Sequence, residues 1–215
     1  MASAAHTLRQ CSTSSVFDAV DALGGEHGGA LDGLRIFGKR VRVAGPVETV
    51  SAEVSLVRRY PEEDFSIGEQ IGVTPPGSIL LIDLRGEPVS SWGALATRAA
   101  MRRGLEACLI NGGARDVEEV QGLDFLLAVR HVTPRTGKGR IRFTGRGQTL
   151  RWAGVRIGPG DWMVVDRTGA VVIPPHAVKD VARRALELES ADSRFAQLLE
   201  QGKDFDSARR SLGHF

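Results

Sequence analysis

Apolar positions recur at helical spacing near the start of the chain, where Val16, Ala19, Val20 and Leu23 follow a run of serines. That pattern predicts a capped helix over 14–23. Between 34 and 50 the β-branched content rises, Val41 and Val43 alternate with polar residues, and Gly38 and Gly45-Pro46 supply turn signals, predicting a hairpin. A short helix is expected over 53–59. The clearest unit lies in the middle. An apolar strand over 78–84 follows the turn Pro75-Pro76-Gly77, a helix over 91–103 stops at Gly104, and a second apolar strand covers 107–110. Strand, helix and strand with short joins predict a right-handed βαβ crossover with parallel strands. A short helix follows from about Asp116. From 125 to 174 several strands are expected, with turns at Gly137–Gly139, Gly145–Gly147, Gly158-Pro159-Gly160 and Thr168-Gly169. A last apolar stripe (Val178, Val181, Ala182, Ala185) is interrupted by polar residues 189–194 and resumes at Phe195, Leu198 and Leu199. It fits either a helix that leaves the body of the domain to meet another subunit or one surface helix with a break.

Composition narrows the class. The chain has 215 residues, 25% charged and 42% hydrophobic, which excludes a disordered chain and a coiled coil. Neither a Pro/Ser-rich linker nor an internal repeat divides it, so one domain over 1–215 is expected, with a core over about 12–176 and a C-terminal helical segment over about 176–205. The formal net charge of +2, from 28 basic and 26 acidic side chains, argues against a whole-protein nucleic-acid binder. Cys11 and Cys108 are far apart, which suits a reducing compartment. No basic-then-apolar leader opens the sequence and no apolar run approaches the ~20 residues of a membrane helix. A soluble cytoplasmic protein is the expectation. Glycine is the outlier, with 26 residues, and predicts many tight turns and close backbone approaches.

Candidate chemistry gathers at the carboxyl end of the βαβ strands, where ligands of open α/β units bind. The first turn of the helix begun at Ser91 (Trp92, Gly93, Ala94, Leu95) offers unpaired N–H groups and a positive dipole end. The loop Gly112-Gly113-Ala114-Arg115-Asp116 follows the next strand. A helix N-terminus with an arginine makes a carboxylate or phosphate site, and Asp116 adds a hard oxygen ligand suited to Mg²⁺ or Mn²⁺. Glu118 and Glu119 could join through water. The same residues also have a structural reading: Asp116 as a helix N-cap, and Arg115 paired with Glu118 or Glu119. Arg135, Lys138, Arg140, Arg142, Arg146 and Arg151 form a basic run without an acid, a solvated face or an anion-binding one. His6, His27, His131, His176 and His214 show no metal-ligand spacing. His131 could line the cleft or satisfy a structural role, and Cys108 reads as core.

The blocks Trp92-Gly93-Ala94-Leu95-Ala96-Thr97-Arg98-Ala99-Ala100, Arg103-Gly104 and Ile110-Asn111-Gly112-Gly113-Ala114-Arg115-Asp116 resemble the signature of the RraA-like family. That family holds the class II 4-hydroxy-4-methyl-2-oxoglutarate/4-carboxy-4-hydroxy-2-oxoadipate aldolases and the regulator of ribonuclease E activity. Ser14–Ala19, Ala44–Val50, and Pro159-Gly160-Asp161 with Asp166, Gly169 and Val171–Pro174 resemble its other blocks in the same order, so the resemblance covers about 12–205. It implies an α/β fold of the three-layer ββα, swivelling-domain-like type, assembled as a homotrimer or hexamer with sites between subunits.

The resemblance also implies roles. Arg115 would bind the carboxylate and enolate of pyruvate, and Asp116 would hold Mg²⁺ or Mn²⁺, partly through water. Backbone amides after Gly93, at Ala94, Leu95 and Ala96, would hold the substrate, and Glu119, with Glu118 beside it, would complete the metal motif through water. The implied reaction is lyase chemistry on a small 2-oxo acid: retro-aldol cleavage of a 4-hydroxy-2-oxo acid, or oxaloacetate-type decarboxylation, through a pyruvate enolate. The chain departs from the aldolases in carrying Ala94 where an acid usually follows the motif glycine, and Asn111 where an aspartate is frequent. A glutamate from a neighbouring subunit's C-terminal helix aligns poorly, with Glu189 as the stand-in. The ribonuclease regulators tend to lack the aspartate after the arginine, and this chain keeps Asp116. The alternatives are a non-catalytic protein-binding regulator of a ribonuclease and a specialised-metabolism enzyme of the same fold with another substrate.

Overall fold

The computed structural model of the chain describes residues 2–24 and 28–212; His27 and His214 lie outside them. Its centre is a mixed sheet whose strands, in spatial order, are β1 (Gly29–Leu31), β12 (Ala170–Ile173), β11 (Trp162–Asp166), β3 (Arg42–Val54), β4 (Ile79–Asp83), β6 (Ala107–Ala114), β7 (Leu126–Val132) and β2 (Arg35–Phe37). Two further strands attach to it, β5 (Ser90–Trp92) on β6 and β8 (Ile141–Arg146) on β3. A separate ribbon pairs β9 (Leu150–Trp152) with β10 (Val155–Ile157).

Strand alternation shows how the layers stack. Leu80 and Ile82 of β4 point into a core with Ala100 of α4 (Ala94–Arg103) and Val120 of α5 (Val117–Gln121), while Ile79 and Leu81 enter a second core shared with Met163 and Val165 of β11. On the far side of β11, Val164 joins a third core with Val16, Ala19 and Val20 of α2 (Thr13–Ala22) and Val178, Val181, Ala182 and Ala185 of α6 (Val178–Glu200). The sheet turns at β3 into two packed sheets, β1-β12-β11 and β4-β6-β7-β2, so helix, sheet, sheet and helix lie in succession. The expected ββα sandwich is present, and α1 (Ala2–Gln10), α2 and α6 cover its other sheet as an added layer.

Several local expectations are corrected. The hairpin over 34–50 is absent: β2 pairs with β7, and Gly45-Pro46 lies inside the 13-residue strand β3. A side chain at Gly45 would stand 2.6 Å from the carbonyl oxygen of Gly77. Pro46 sits where β3 ends its pairing with β11 and begins pairing with β4, a place where a missing N–H costs little. The helix over 53–59 is also absent, because Glu53 and Val54 continue β3 against Arg142 and Ile141. The apolar stripe from Val178 to Leu199 lies on one continuous 23-residue helix, α6, without a break. Its second half packs on α7 (Phe205–Leu212), with Phe195 and Phe205 edge to face at 4.9 Å.

A buried carboxylate ties the outer helices to the sheet. Asp166, 7% exposed, accepts hydrogen bonds from Thr13 N (2.9 Å), Thr13 Oγ1 (2.7 Å) and Thr168 N (2.9 Å), with Arg42 Nε 3.6 Å away. Burial pushes its pKa up, but the donors at Thr13 and Thr168 and the Arg42 charge outweigh that, so the net shift is below the usual 3.8. A depressed carboxylate contributes stability above its unfolded value and loses it as pH falls through the folded one. Asp166→Asn, which leaves buried donors facing an amide, is expected to cost about 3 kcal/mol and lower Tm by roughly 6–12 °C at neutral pH. Thermal melts should show the difference shrinking as the pH drops below about 4.

Candidate functional site

Two junctions meet at one end of the parallel strands. The first is β5 running into α4 through Gly93. The helix starts at Ala94, not at Ser91, because Ser90 and Trp92 pair with Gly113 and Ala114 of β6 as a short parallel strand. Ser90 Oγ donates to Trp92 O (2.8 Å), Trp92 Nε1 donates to Thr97 Oγ1 (2.9 Å), and Thr97 Oγ1 donates to Gly93 O (3.0 Å), which fixes the junction. The first intrahelical bond runs from Thr97 N to Gly93 O (3.0 Å). The N–H groups of Ala94, Leu95 and Ala96 precede it and have no intrahelical acceptor. At the other end Gly104 takes φ +84, the left-handed C-cap that glycine favours.

The second junction is the end of β6. Gly112 and Gly113 are strand residues, not a turn. A Cβ at Gly112 would fall 2.6 Å from Leu84 Cβ, and one at Gly113 would fall 2.8 Å from Val89 O. These glycines admit the segment 84–89, which leads into β5. Arg115 N then donates to Trp92 O (2.9 Å), holding the two junctions together.

Asp116 occupies the N-cap position of α5, yet its carboxylate makes no capping hydrogen bond. Its backbone is left-handed (φ 55, ψ 32), a conformation costing on the order of 1–3 kcal/mol for an L residue, with aspartate among the more tolerant. The carboxylate turns instead to Gly93 and lies 3.4 Å from Arg115 Nε. Asp116 is therefore the N-cap by position, its carbonyl accepting from Val120 N (3.1 Å), but not by side chain, and Arg115 pairs with neither Glu118 nor Glu119 among the described residues. The guanidinium's terminal nitrogens have no hydrogen-bond partner among the described residues.

Gly93, Leu95, Ala96, Arg115 and Asp116 line one cavity of about 130 Å³. Ala94 does not line it, its side chain being buried in the apolar core beside α4. Glu118 and Glu119 stand exposed on α5 outside the cavity lining. Asn111 is held elsewhere, donating to Asp83 Oδ1 (2.7 Å) and accepting from Arg130 Nη1 (3.3 Å). Glu189 accepts from Ser12 N and Ser15 Oγ at the start of α2 in its own chain. His131 Nε2 pairs with Gly86 O at 2.9 Å and is not among the cavity-lining residues.

Ser90, Ser91, Phe65, Ile67, Thr136 and Lys138 also line the cavity and were not singled out from the sequence as site residues. The other cations of the basic run are mostly engaged by the chain itself. Arg142 pairs with Glu53 (2.5 Å) and stacks on Tyr60, Arg146 pairs with Glu48 (3.1 Å), and Arg140 donates to Leu56 O and Thr136 O. Arg135 donates to Pro88 O. That leaves little of a continuous anionic-polymer surface.

Among the described residues no group of three or more His, Cys, Asp or Glu side chains could cage a metal. The donor set that is present still fits Mg²⁺ or Mn²⁺. These hard ions are commonly held by one or two carboxylates, with waters and substrate oxygens completing the shell, and Asp116 offers a carboxylate not used for capping. No helix among the described residues is long and apolar enough to cross a membrane.

The RraA-like family model, described as Aldolase/RraA, matches residues 13–172. Protein DlpA of Legionella pneumophila is 26% identical over 204 residues, covering 94% of this chain and 32% of DlpA, so the chain spans about a third of that protein. A 4-hydroxy-4-methyl-2-oxoglutarate aldolase of Thermus thermophilus is 29% identical over 145 residues, covering 64% of this chain and 79% of that one. The crystal structure of an uncharacterized protein from Pseudomonas syringae superposes with a TM-score of 0.84 at 27% identity, covering 97% of this chain and 98% of that one.

Proposed function

From the premise that the chain belongs to the RraA-like family, we propose that the cavity between β5, α4 and Asp116 is the active site of a divalent-metal-dependent carbon–carbon lyase acting on a small 2-oxo acid. The observation that carries this reading is the shared orientation of Arg115 and Asp116. The Asp116 carboxylate makes no capping bond, its backbone is strained, and it stands with Arg115 beside the free amides of α4. A purely structural N-cap would need none of this. The likeness to the Thermus aldolase supports the reaction class.

Cleavage breaks the C3–C4 bond of a 4-hydroxy-2-oxo acid. The hydroxyl loses its proton, and the electron pair remains on the departing pyruvate as its enolate. Decarboxylation of oxaloacetate leaves the same enolate with CO₂ as the other product. Catalysis therefore requires donors placed where that negative charge grows. Arg115 supplies a planar cation whose terminal nitrogens can take two oxygens at once. The amides of Ala94, Leu95 and Ala96 supply neutral donors at the positive end of α4. Asp116 would hold Mg²⁺ or Mn²⁺, which when bound acts as a Lewis acid toward the 2-oxo group. Leu95, 81% exposed at the cavity rim, offers an apolar surface that a neighbouring copy would cover, in keeping with a homotrimer or hexamer.

Purified protein supplied with Mg²⁺ or Mn²⁺ should release pyruvate from 4-hydroxy-4-methyl-2-oxoglutarate or from oxaloacetate, followed by lactate-dehydrogenase coupling. Chelation should abolish the release and added metal restore it. Absence of turnover on both substrates with either metal would refute the reading.

A further inference from the structure

We propose that the cavity sorts 2-oxo acids by their far end, with Phe65 and Ile67 forming a wall that favours an apolar substituent on C4 over a carboxylate. The direction in which a ligand lies along the cavity rests on the lyase reading; the wall rests on separate observations.

β5 gives the cavity two ends. At one, a Cβ on Gly93 would overlap Asp116 Oδ2 and stand 3.3 Å from Arg115 Cγ, so the proposed reacting groups meet the strand there. At the other, a Cβ on Gly137 would stand 2.8 Å from Ser90 O and 2.6 Å from Phe65 Cε2, which puts the Phe65 ring beside the start of the strand. From Ser90 to Gly93 an extended chain rises about 10 Å. Ser91 lies between. It is 2% exposed and lines the cavity, and its buried Oγ has no hydrogen-bond partner among the described residues. Such a hydroxyl is costly and uncommon, and a ligand oxygen lying along the strand would satisfy it. With C1 to C3 of a 4-hydroxy-2-oxo acid at Gly93, the 4-hydroxyl comes to Ser91 and the rest of the C4 substituent to Phe65.

The Phe65 end is apolar, and its polar groups are already engaged. Phe65 stacks on Phe143 with ring centroids 5.9 Å apart, Ile67 lines the cavity two residues further on, and both pack against the core beneath. Ser90 Oγ donates to Trp92 O (2.8 Å), Thr136 Oγ1 accepts from Lys138 N (3.4 Å), and Thr136 O accepts from Arg140 Nη1 (3.3 Å). Lys138 also lines the cavity, but it is exposed, where water and salt screen its charge. Among the described residues Arg115, Asp116 and Lys138 are the charged side chains of the lining, and one ligand carboxylate balances them. A second carboxylate pressed against Phe65 and Ile67 would lose its hydration without a buried cation to replace it. A methyl or methylene group there gains by leaving water. Substrates of this kind divide into pyruvate and an apolar aldehyde or ketone. The C3–C4 bond breaks and its electron pair stays on the enolate, which takes a proton from water, while the 4-hydroxyl gives up its proton as the new carbonyl forms.

Calorimetry in the presence of Mg²⁺ tests this with 2-oxo acids that lack the 4-hydroxyl needed for cleavage. From 2-oxobutanoate through 2-oxopentanoate to 2-oxohexanoate, affinity should rise roughly 3–4-fold per carbon. 2-Oxohexanoate should bind at least about fivefold more tightly than 2-oxoadipate, which has the same number of carbons and a carboxylate at the far end. Phe65→Ala and Ile67→Ala should each weaken 2-oxohexanoate by roughly 3–10-fold and leave pyruvate unchanged. Ile67→Lys should turn the preference toward 2-oxoadipate, a gain that misfolding cannot produce. Affinity flat with chain length, 2-oxoadipate bound as tightly as 2-oxohexanoate by the wild type, or variants that leave the series unaltered would overturn the wall. The preference without pyruvate release from 4-hydroxy-2-oxohexanoate, 4-hydroxy-4-methyl-2-oxoglutarate or oxaloacetate would retain the wall and reject the lyase reading. Pyruvate release without the preference would do the reverse.

Discussion

Arg115→Ala is expected to lower kcat/KM for pyruvate release by about 10²–10³-fold, the usual loss when a preorganised donor to a developing oxyanion is removed. Stability should hardly move. The Arg115 side chain is half exposed, and its ion pair with Asp116, 3.4 Å from Nε to Oδ2, belongs to the exposed class that contributes little to folding. Arg115→Lys separates charge from geometry: it keeps the cation but loses the fork that engages two oxygens, so most of the activity should stay lost. At the neighbouring position asparagine is the informative replacement. Asp116 sits at φ 55, where alanine would add backbone strain, whereas asparagine tolerates that region and keeps the shape. Asp116→Asn should fall by a similar factor and weaken Mn²⁺ binding, with Tm preserved. Wild-type rates in both Arg115→Ala and Asp116→Asn would place the reaction elsewhere.

The sequence made the scaffold of this site readable because its signals are local. A serine cap before Val16, the apolar runs of β4 and β6, and Gly104 closing α4 each act over a few residues, and each appears at its expected place. The order of Gly93 and Arg115-Asp116 along two strand ends was enough to bring them to one crevice. Glycines were misread where their reason is distant. Gly45, Gly112 and Gly113 lie within strands, and they are small because Gly77, Leu84 and Val89 come close. Nothing within a few residues of Gly112 reveals that approach. Ser91 was hidden for a related cause: β5 precedes α4, and the expected helix ran back over two of its three residues, Ser91 and Trp92. Lys138 was visible only as one cation among six. What separates it from Arg142 and Arg146 is that those two meet Glu53 and Glu48 across β3, a pairing settled by sheet register.

Gly93→Ala should act on the chemistry rather than on the fold. Gly93 has φ −162, an extended backbone open to any residue, so its smallness is not a conformational requirement. The requirement is space. A Cβ there would overlap Asp116 Oδ2 and stand 3.3 Å from both Asp116 Cγ and Arg115 Cγ. The side chains that must yield are the two proposed to act on substrate and metal, and both are partly exposed and free to swing outward. A displacement of about 1 Å in such a group costs on the order of 10²-fold in rate. Metal affinity should drop with it, by roughly 10–100-fold if the carboxylate loses its orientation. Tm should stay near the wild-type value, since no core atom is disturbed. Gly104→Ala at the far end of the same helix provides the opposite pattern. Its φ of +84 disfavours a side chain, so stability should fall by about 1 kcal/mol while kcat/KM is retained. If Gly93→Ala lost stability and activity together, its smallness would serve the β5–α4 junction instead of the carboxylate beside it.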